Sequence, residues 1–213
     1  MSNERTPRRG IALIVSSPSG AGKTSLCRRL IADHEALKLS ISMTTRTPRP
    51  GEENGREYHF IDDKQFDGLI AQGAFLEWAQ VHGARYGSPR DAVISALHAG
   101  RDVLFDIDWQ GGRSIAAAMP ADTVRVFVLP PSMQELRRRL YARAQDKPEV
   151  IERRLKRARE EIAHWDEYDY IIVNDDFDRS LAELAHVYHA ERDRQVRNPW
   201  IANYVEALMA EQD

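Results

Sequence analysis

The stretch Ser17-Pro-Ser-Gly-Ala-Gly-Lys-Thr24 concentrates chemistry in a small-residue loop that ends in a lysine and a hydroxyl. Such a loop cradles phosphate. The backbone N–H groups of Ser19 to Thr24 converge at the start of a helix, where the macrodipole also favours negative charge. Lys23 adds a point charge and Thr24 a hydroxyl for Mg²⁺, so a nucleoside triphosphate is the expected ligand. The strict pattern Gly-x-x-x-x-Gly-Lys-Ser/Thr is met at Gly22, Lys23 and Thr24 and missed at Ser17. The reading therefore leans on context: an apolar strand before the loop and a helix after it.

Phosphoryl transfer needs positioning and charge neutralisation more than covalent help. Asp106, at the end of the apolar run Val103–Asp108, can hold a water of a Mg²⁺ shell, since Mg²⁺ takes few carboxylates and keeps several waters. Asp106 and Asp108 lie two apart and, on a strand, share a face. Arg139, Arg143 and Arg154, with Arg157 as a weaker candidate, fall on two helices joined by a short link. That hairpin can close guanidinium groups over a transferring phosphoryl; the bland alternative is an arginine-rich solvated face.

A second anion site is implied by Arg46, Arg49, Tyr58 and Tyr86, two arginines and two phenols able to clamp one monophosphate. Glu77, within Phe-Leu-Glu-Trp, can accept both N1–H and N2–H of a guanine while Ser42 reaches O6. Adenine has no donor at N1 and would leave a buried carboxylate unpaired. From spacing alone Glu77 reads equally well as an outward residue of an alternating strand.

Positioning these residues requires strands feeding helices. Ile11–Val15 reads as a buried strand, and the helix from about Thr24 to Asp33 puts Leu26, Leu30 and Ile31 on one face. Leu39–Ser42 reads as a short strand, and Met43–Glu57, rich in Pro, Gly and charge, as a long functional loop. Strands are expected at Tyr58–Ile61 and Phe75–Val81, a short strand or turn at Arg85–Ser88, and a helix capped by Asp62 or Asp63 through about Gln72. Helices are expected at Arg90–Ala99 and Trp109–Ala118, and buried strands at Val124–Leu129 and Tyr170–Val173. Ser132 and Glu135 form a capping box for a helix to about Ala142. Ile151, Leu155, Ala158, Ile162 and Trp165 then keep one helical stripe. Phe177 to about Arg194 and Pro199–Ala210 read as helices, the latter for packing or subunit contact. Strands alternating with helices describe a parallel sheet covered by helices, with an inserted lobe of short strands.

The 213 residues suit one α/β domain with insertions, and 42% hydrophobic with 30% charged residues is ordinary for a globular chain. A formal net charge of −3 argues against general binding to nucleic acid or anionic membranes. Cys27 is the single cysteine, mid-helix, and reads as a small buried hydrophobe in a reducing compartment. No apolar run approaches the roughly 20 residues of a membrane span and no secretory leader is visible, so the cytoplasm is expected.

Several of these pieces resemble the guanylate kinase family over nearly the whole chain: residues 17–24, Ser42-Met-Thr-Thr-Arg-Thr-Pro-Arg-Pro-Gly-Glu52, Asn54-Gly55 with Tyr58, Phe75-Leu-Glu-Trp-Ala79, Tyr86-Gly-Ser88, Asp106-Ile-Asp-Trp-Gln-Gly111 and Ile172-Val-Asn-Asp-Asp176. The resemblance implies an α/β P-loop nucleoside monophosphate kinase fold with a parallel five-stranded core sheet flanked by helices. It divides one domain, 1–213, into a core (1–39, 99–142, 164–213), a mixed-β GMP-binding lobe (40–98) and a helical lid (143–163). It implies Mg²⁺-assisted transfer of the γ-phosphoryl of ATP to GMP, giving ADP and GDP. ATP contacts carry over to Ser19, Gly20, Ala21, Gly22, Lys23, Thr24 and Ser25, with Asn174 near the adenine and Thr24 and Asp106 toward the metal. GMP-phosphate contacts carry over to Arg46, Arg49, Tyr58 and Tyr86, guanine contacts to Ser42, Glu77, Ser88 and Asp108, and catalytic charges to Lys23, Arg139, Arg143 and Arg154. Ser17 and Ala144 depart from the family's usual glycines, the latter stiffening the lid hinge.

Two other readings compete. One is a guanylate-kinase-like scaffold module that binds phosphopeptides without catalysis, disfavoured by the retained Lys23, Thr24 and arginines. The other is a kinase of the same fold acting on a different phosphorylated acceptor, disfavoured by Ser42, Glu77 and Asp108. No nucleic-acid or membrane partner is expected, and a homo-oligomer stays open.

Overall fold

The computed structural model describes residues 8–81, 83–142 and 148–211. It begins with β1 (Ala12–Ser16), α1 (Lys23–Asp33) and β2 (Leu37–Leu39). Next come β3 (Met43–Thr44), β4 (His59–Phe60), α2 (Asp63–Ala71), β5 (Phe75–Val81), β6 (Ala84–Pro89) and α3 (Arg90–His98). The second half contains β7 (Asp102–Asp106), α4 (Trp109–Ala118), β8 (Thr123–Leu129), α5 (Met133–Ala142) and α6 (Pro148–Ile162). It ends with β9 (Tyr170–Val173), α7 (Phe177–Asp193) and α8 (Trp200–Ala210).

The core is a five-stranded sheet in the order β2-β7-β1-β8-β9, parallel throughout. Its central strand β1 is buried along its whole length, as an unbroken apolar run in a doubly covered parallel sheet must be. Alternation splits its side chains between two layers. Ala12 and Ile14 pack with Val103 and Phe105 against Val93, Leu97 and Ile115 of α3 and α4. Leu13 and Val15 pack with Leu104, Val124 and Val126 against Leu26 and Leu30 of α1 and Leu184 and Tyr188 of α7. Cys27 lies in this second layer, and burial pushes its thiol far above the usual range.

Between β2 and α3 the chain builds a second sheet, β4-β3-β6-β5, in which β3 and β4 run parallel and the other pairs antiparallel. Helix α2 starts at a complete capping box between Asp62 and Gln65 and stacks Phe66 on Phe75, ring centroids 4.6 Å apart. Here two expectations from sequence fail. Leu39–Ser42 is no strand, because β2 stops at Leu39, one amide short of its last bond to β7 at Ser40. Met43–Glu57 is not all loop, because Met43 and Thr44 form the strand that joins β4 to β6. Two residues carry no periodicity; only their partners make them a strand.

Helices α5 and α6 form a small body of their own around Leu136, Leu140, Ile151, Leu155 and Ala158. The expected stripe does not reach Trp165. Helix α6 ends at Ile162, and Trp165 sits in a 3₁₀ turn (Trp165–Glu167), 52% exposed. No helix among the described residues is long and apolar enough to cross a membrane.

Candidate active site

The β1–α1 turn holds the phosphate cradle. Gly20 and Gly22 adopt φ of 98° and 101°, left-handed values open to glycine. A Cβ on Gly22 would stand 2.3 Å from Asn174 Nδ2, which donates to the Ala21 carbonyl at 2.7 Å. Asn174, at the end of β9, thus staples the loop from across the sheet. Ser17, at the departure from the strict pattern, donates its hydroxyl to the Pro18 carbonyl. Lys23 Nζ lies 2.8 Å from Asp106 Oδ1 and donates to the Ile107 carbonyl at 2.8 Å.

Asp106 and Asp108 do not share a face as expected, because β7 ends at Asp106 and Asp108 lies beyond it as the N-cap of α4, accepting from the Gly111 amide at 3.0 Å. Asp106 instead lines a cavity of about 330 Å³ together with Thr24, Ser42, Tyr58 and Ser88. The two residues expected near a metal and three expected around the acceptor nucleotide therefore face one space. A neighbouring cavity, bounded by Gly20, Gly22, Ser25, Arg139 and Asn174, also includes Asp175, from the motif at 172–176, and Arg138 and Phe177, which carry no expected role from sequence.

The arginines differ in their reach. Arg139 donates to the Asn174 carbonyl at 3.0 Å and to Glu135 at 2.8 Å, and Arg138 and Arg139 together hold the Glu135 carboxyl down at about 2. Ser132 caps α5 through the Glu135 amide, but the Glu135 carboxylate pairs with these arginines. Arg154 donates to Ser19 Oγ at 3.2 Å, directly at the cradle. Arg157, exposed, pairs with Glu161. Glu161, absent from the sequence candidates, also accepts from the Ser19 amide at 3.3 Å, and burial raises its carboxyl. Arg143 lies outside the described residues.

In the second sheet, both oxygens of Glu52 accept from Arg46 at 2.9 Å, and one also accepts from the Arg49 amide at 2.8 Å. The Arg46 guanidinium lies 5.4 Å from the Tyr58 ring centroid, and Tyr58 and Tyr86 meet edge to face at 5.7 Å. Burial pushes the Tyr58 phenol above its ordinary range. Glu52 thus clasps Arg46 and the Arg49 backbone, and Arg46 joins them to the Tyr58–Tyr86 pair.

Glu77 is no ordinary outward residue. The β5–β6 register shifts between Phe75 and Glu77, a bulge of the kind that re-aims a side chain. Its carboxylate accepts from Ser88 Oγ at 2.6 Å and approaches the first turn of α4, where a Cβ on Gly111 would stand 3.5 Å from Oε2. Burial, then the nearby Asp108 charge, raise its pKa.

A P-loop on a parallel α/β sheet, facing a second anion clamp on an inserted sheet, defines a kinase of the nucleoside monophosphate type. Comparison with known proteins narrows the class. The guanylate kinase family model matches residues 9–191. A guanylate kinase of Caulobacter vibrioides is 54% identical over 212 residues, covering 100% of both chains. One of Maricaulis maris is 53% identical over 205 residues, covering 96% of this chain and 94% of the relative. The crystal structure of guanylate kinase from Anaplasma phagocytophilum superposes with a TM-score of 0.76 at 34% identity, covering 97% of this chain and 99% of the other. The chain belongs to the guanylate kinase family.

Proposed function

We propose that these residues transfer the γ-phosphoryl of ATP to the phosphate of GMP, giving ADP and GDP. The reading is carried by the single cavity that Thr24 and Asp106 share with Ser42, Tyr58 and Ser88, because transfer needs donor and acceptor phosphates in one enclosed space. An oxygen of the GMP phosphate attacks Pγ while the bond from Pγ to the β–γ bridging oxygen breaks, and ADP leaves with that electron pair. The amides of Ser19 to Thr24 and the Lys23 ammonium hold the β- and γ-phosphates, with Ser25 and Asn174 toward the adenosine side. Arg139, Arg143 and Arg154 neutralise the charge that spreads over the equatorial oxygens. Arg46, Arg49, Tyr58 and Tyr86 fix the GMP phosphate, and Ser42, Glu77, Ser88 and Asp108 read the guanine.

Thr24 and Asp106 fit Mg²⁺: one hydroxyl and one carboxylate on a polar cavity leave room for the waters that Mg²⁺ retains. When bound, the ion neutralises charge on the β- and γ-oxygens. Both nucleotides and a reduced, buried Cys27 suit a cytoplasmic enzyme.

A coupled assay with ATP and Mg²⁺ tests the reading. Turnover with GMP is expected far above that with AMP, CMP or UMP, and comparable rates with AMP would overturn the assignment of Glu77. Lys23→Ala is expected to lower kcat by about 10²–10³-fold, as loss of one preorganised charge does; undiminished turnover would mean that the loop does not hold the transferred phosphate.

A further inference from the structure

At the ends of α1 and α7 remote from the cradle, two imidazoles meet. His34, the C-cap of α1, has its Nε2 3.0 Å from Nε2 of His189 on α7. Its other nitrogen, Nδ1, lies 2.9 Å from the Leu30 carbonyl. A carbonyl only accepts, so Nδ1 carries a proton and Nε2 is the nitrogen turned toward His189, the one open to a metal. We propose that His34 and His189 form a two-histidine site for a divalent transition cation of the imidazole-binding kind, Ni²⁺, Cu²⁺ or Zn²⁺.

The spacing suits this. Imidazole nitrogens bind such ions at about 2.0–2.1 Å, so a separation of 3.0 Å subtends about 90° at the metal, the cis angle of square or octahedral coordination. A tetrahedral angle needs about 3.3–3.4 Å at the same bond length, an opening of a few tenths of an ångström. The ion takes the place of the proton between the rings, and a modest tilt of the exposed His189 ring turns both lone pairs onto it. The Leu30 carbonyl supplies the outer hydrogen bond that fixes tautomer and orientation in ligating histidines.

The frame around the pair is stiff. Leu26, Leu30, Leu184 and Tyr188 lock α1 to α7 within one core layer, and the edge of the His34 ring packs on Tyr188 at 5.1 Å. The charges facing His189 are His34 from α1 and His186, Arg192 and Asp193 from α7. The Arg192 guanidinium is turned inward, 3.3 Å from Tyr188 Oη and 3.4 Å from buried Asp102, a carboxylate that it shares with Arg8. Burial, with the adjacent His34, holds His189 below the usual histidine range. Among the described residues no three His, Cys, Asp or Glu side chains gather for a metal, so water completes the shell and the ion exchanges readily. The site is separate from Thr24 and Asp106, whose hard oxygens suit Mg²⁺. An ion there ties the far end of the P-loop helix to α7.

The test titrates Ni²⁺ into tag-free, metal-stripped full-length protein by calorimetry, alongside His34→Gln, His189→Gln and His186→Gln. One saturable equivalent is expected for the wild-type protein, with a Tm rise of about 5–10 °C at a hundredfold excess over Kd. Both are expected to vanish in His34→Gln and His189→Gln and to persist in His186→Gln. Mg²⁺-dependent kcat/KM is expected to be unchanged in all three variants, which also reports that they fold. Saturable binding retained in His34→Gln or His189→Gln, its loss in His186→Gln, or none in the wild-type protein would overturn the proposal.

Discussion

In its proposed role at the guanine, Glu77 shows what one residue gives up for selectivity. Its carboxyl is raised by burial and by Asp108, so in the folded protein the charged form is disfavoured relative to the unfolded chain. A carboxyl raised in this way opposes folding at pH above its folded pKa, and the penalty fades as pH falls toward the ordinary value of about 4.3. Glu77→Gln keeps an acceptor for Ser88 and removes the charge. It is therefore expected to raise Tm at pH 7.5, with a smaller gain at pH 5, while lowering kcat/KM for GMP by about 10²-fold, the value of charged hydrogen bonds to the base. Scanning calorimetry at both pH values checks the first part and steady-state kinetics the second; a lower Tm at pH 7.5 would contradict the burial argument. At this scale the cradle was legible because Gly22, Lys23 and Thr24 are contiguous. The guanine reading of Glu77 came from hydrogen-bonding chemistry, whereas the bulge that aims it inward leaves no mark in composition. Asn174, Glu52 and Glu161 act on loops that they do not adjoin in sequence or that have no pattern of their own, so only coordinates connect them.

The α5–α6 hairpin carries Arg139 and Arg154, so in the proposed mechanism its packing positions two of the charges that meet the phosphoryl. Its own core is small: Leu136, Leu140, Ile151, Leu155 and Ala158, with Met133 beside them. Leu155→Ala removes a buried side chain next to Arg154 and should cost about 2–5 kcal/mol of local stability. The loss is expected to stay in the hairpin, since the layers on β1 do not include these residues. Hydrogen exchange should quicken in 133–142 and 148–162 and remain slow in β1 and β8, with kcat falling and KM for GMP unchanged. Uniformly faster exchange would show instead that hairpin and sheet unfold as one. Long periodic elements such as α6 and β1 were readable in advance, because a helical stripe or an apolar run repeats its signal over many residues. The two-residue strand β3 repeats nothing. Trp165 fitted the stripe by spacing only, three residues after the helix had stopped.

Across the whole molecule, the candidate nucleotide-site residues collect at one end of the core sheet. Strands β1, β7 and β9 deliver the cradle, Asp106 and Asn174 at their C-terminal ends, the edge where open α/β sheets bind ligands. The alternation of strands and helices in the sequence was enough to foresee that arrangement, and the position of β2 at the far edge was not, because its three residues pair only with β7. Helix α7 starts beside Asn174 and its 17 residues carry the chain about 25 Å away. There the Arg9 amide bonds the Arg197 carbonyl, and α8 departs with none of its residues buried. Tyr204, Val205, Leu208 and Met209 stand open on it, Met209 at 82%. A helix that buries so little contributes little to folding, and one that leaves from the opposite end of the sheet cannot reach the phosphates. Removing residues 202–213, which spares the half-buried Trp200 and Ile201, is therefore expected to leave kcat/KM within about twofold and Tm within about 2 °C. Melting and the coupled assay check this side by side. A fall in Tm of more than about 5 °C would show that α8 draws stability from a surface beyond its own chain, and sedimentation of the two proteins at matched concentration would then reveal whether that surface is a second copy.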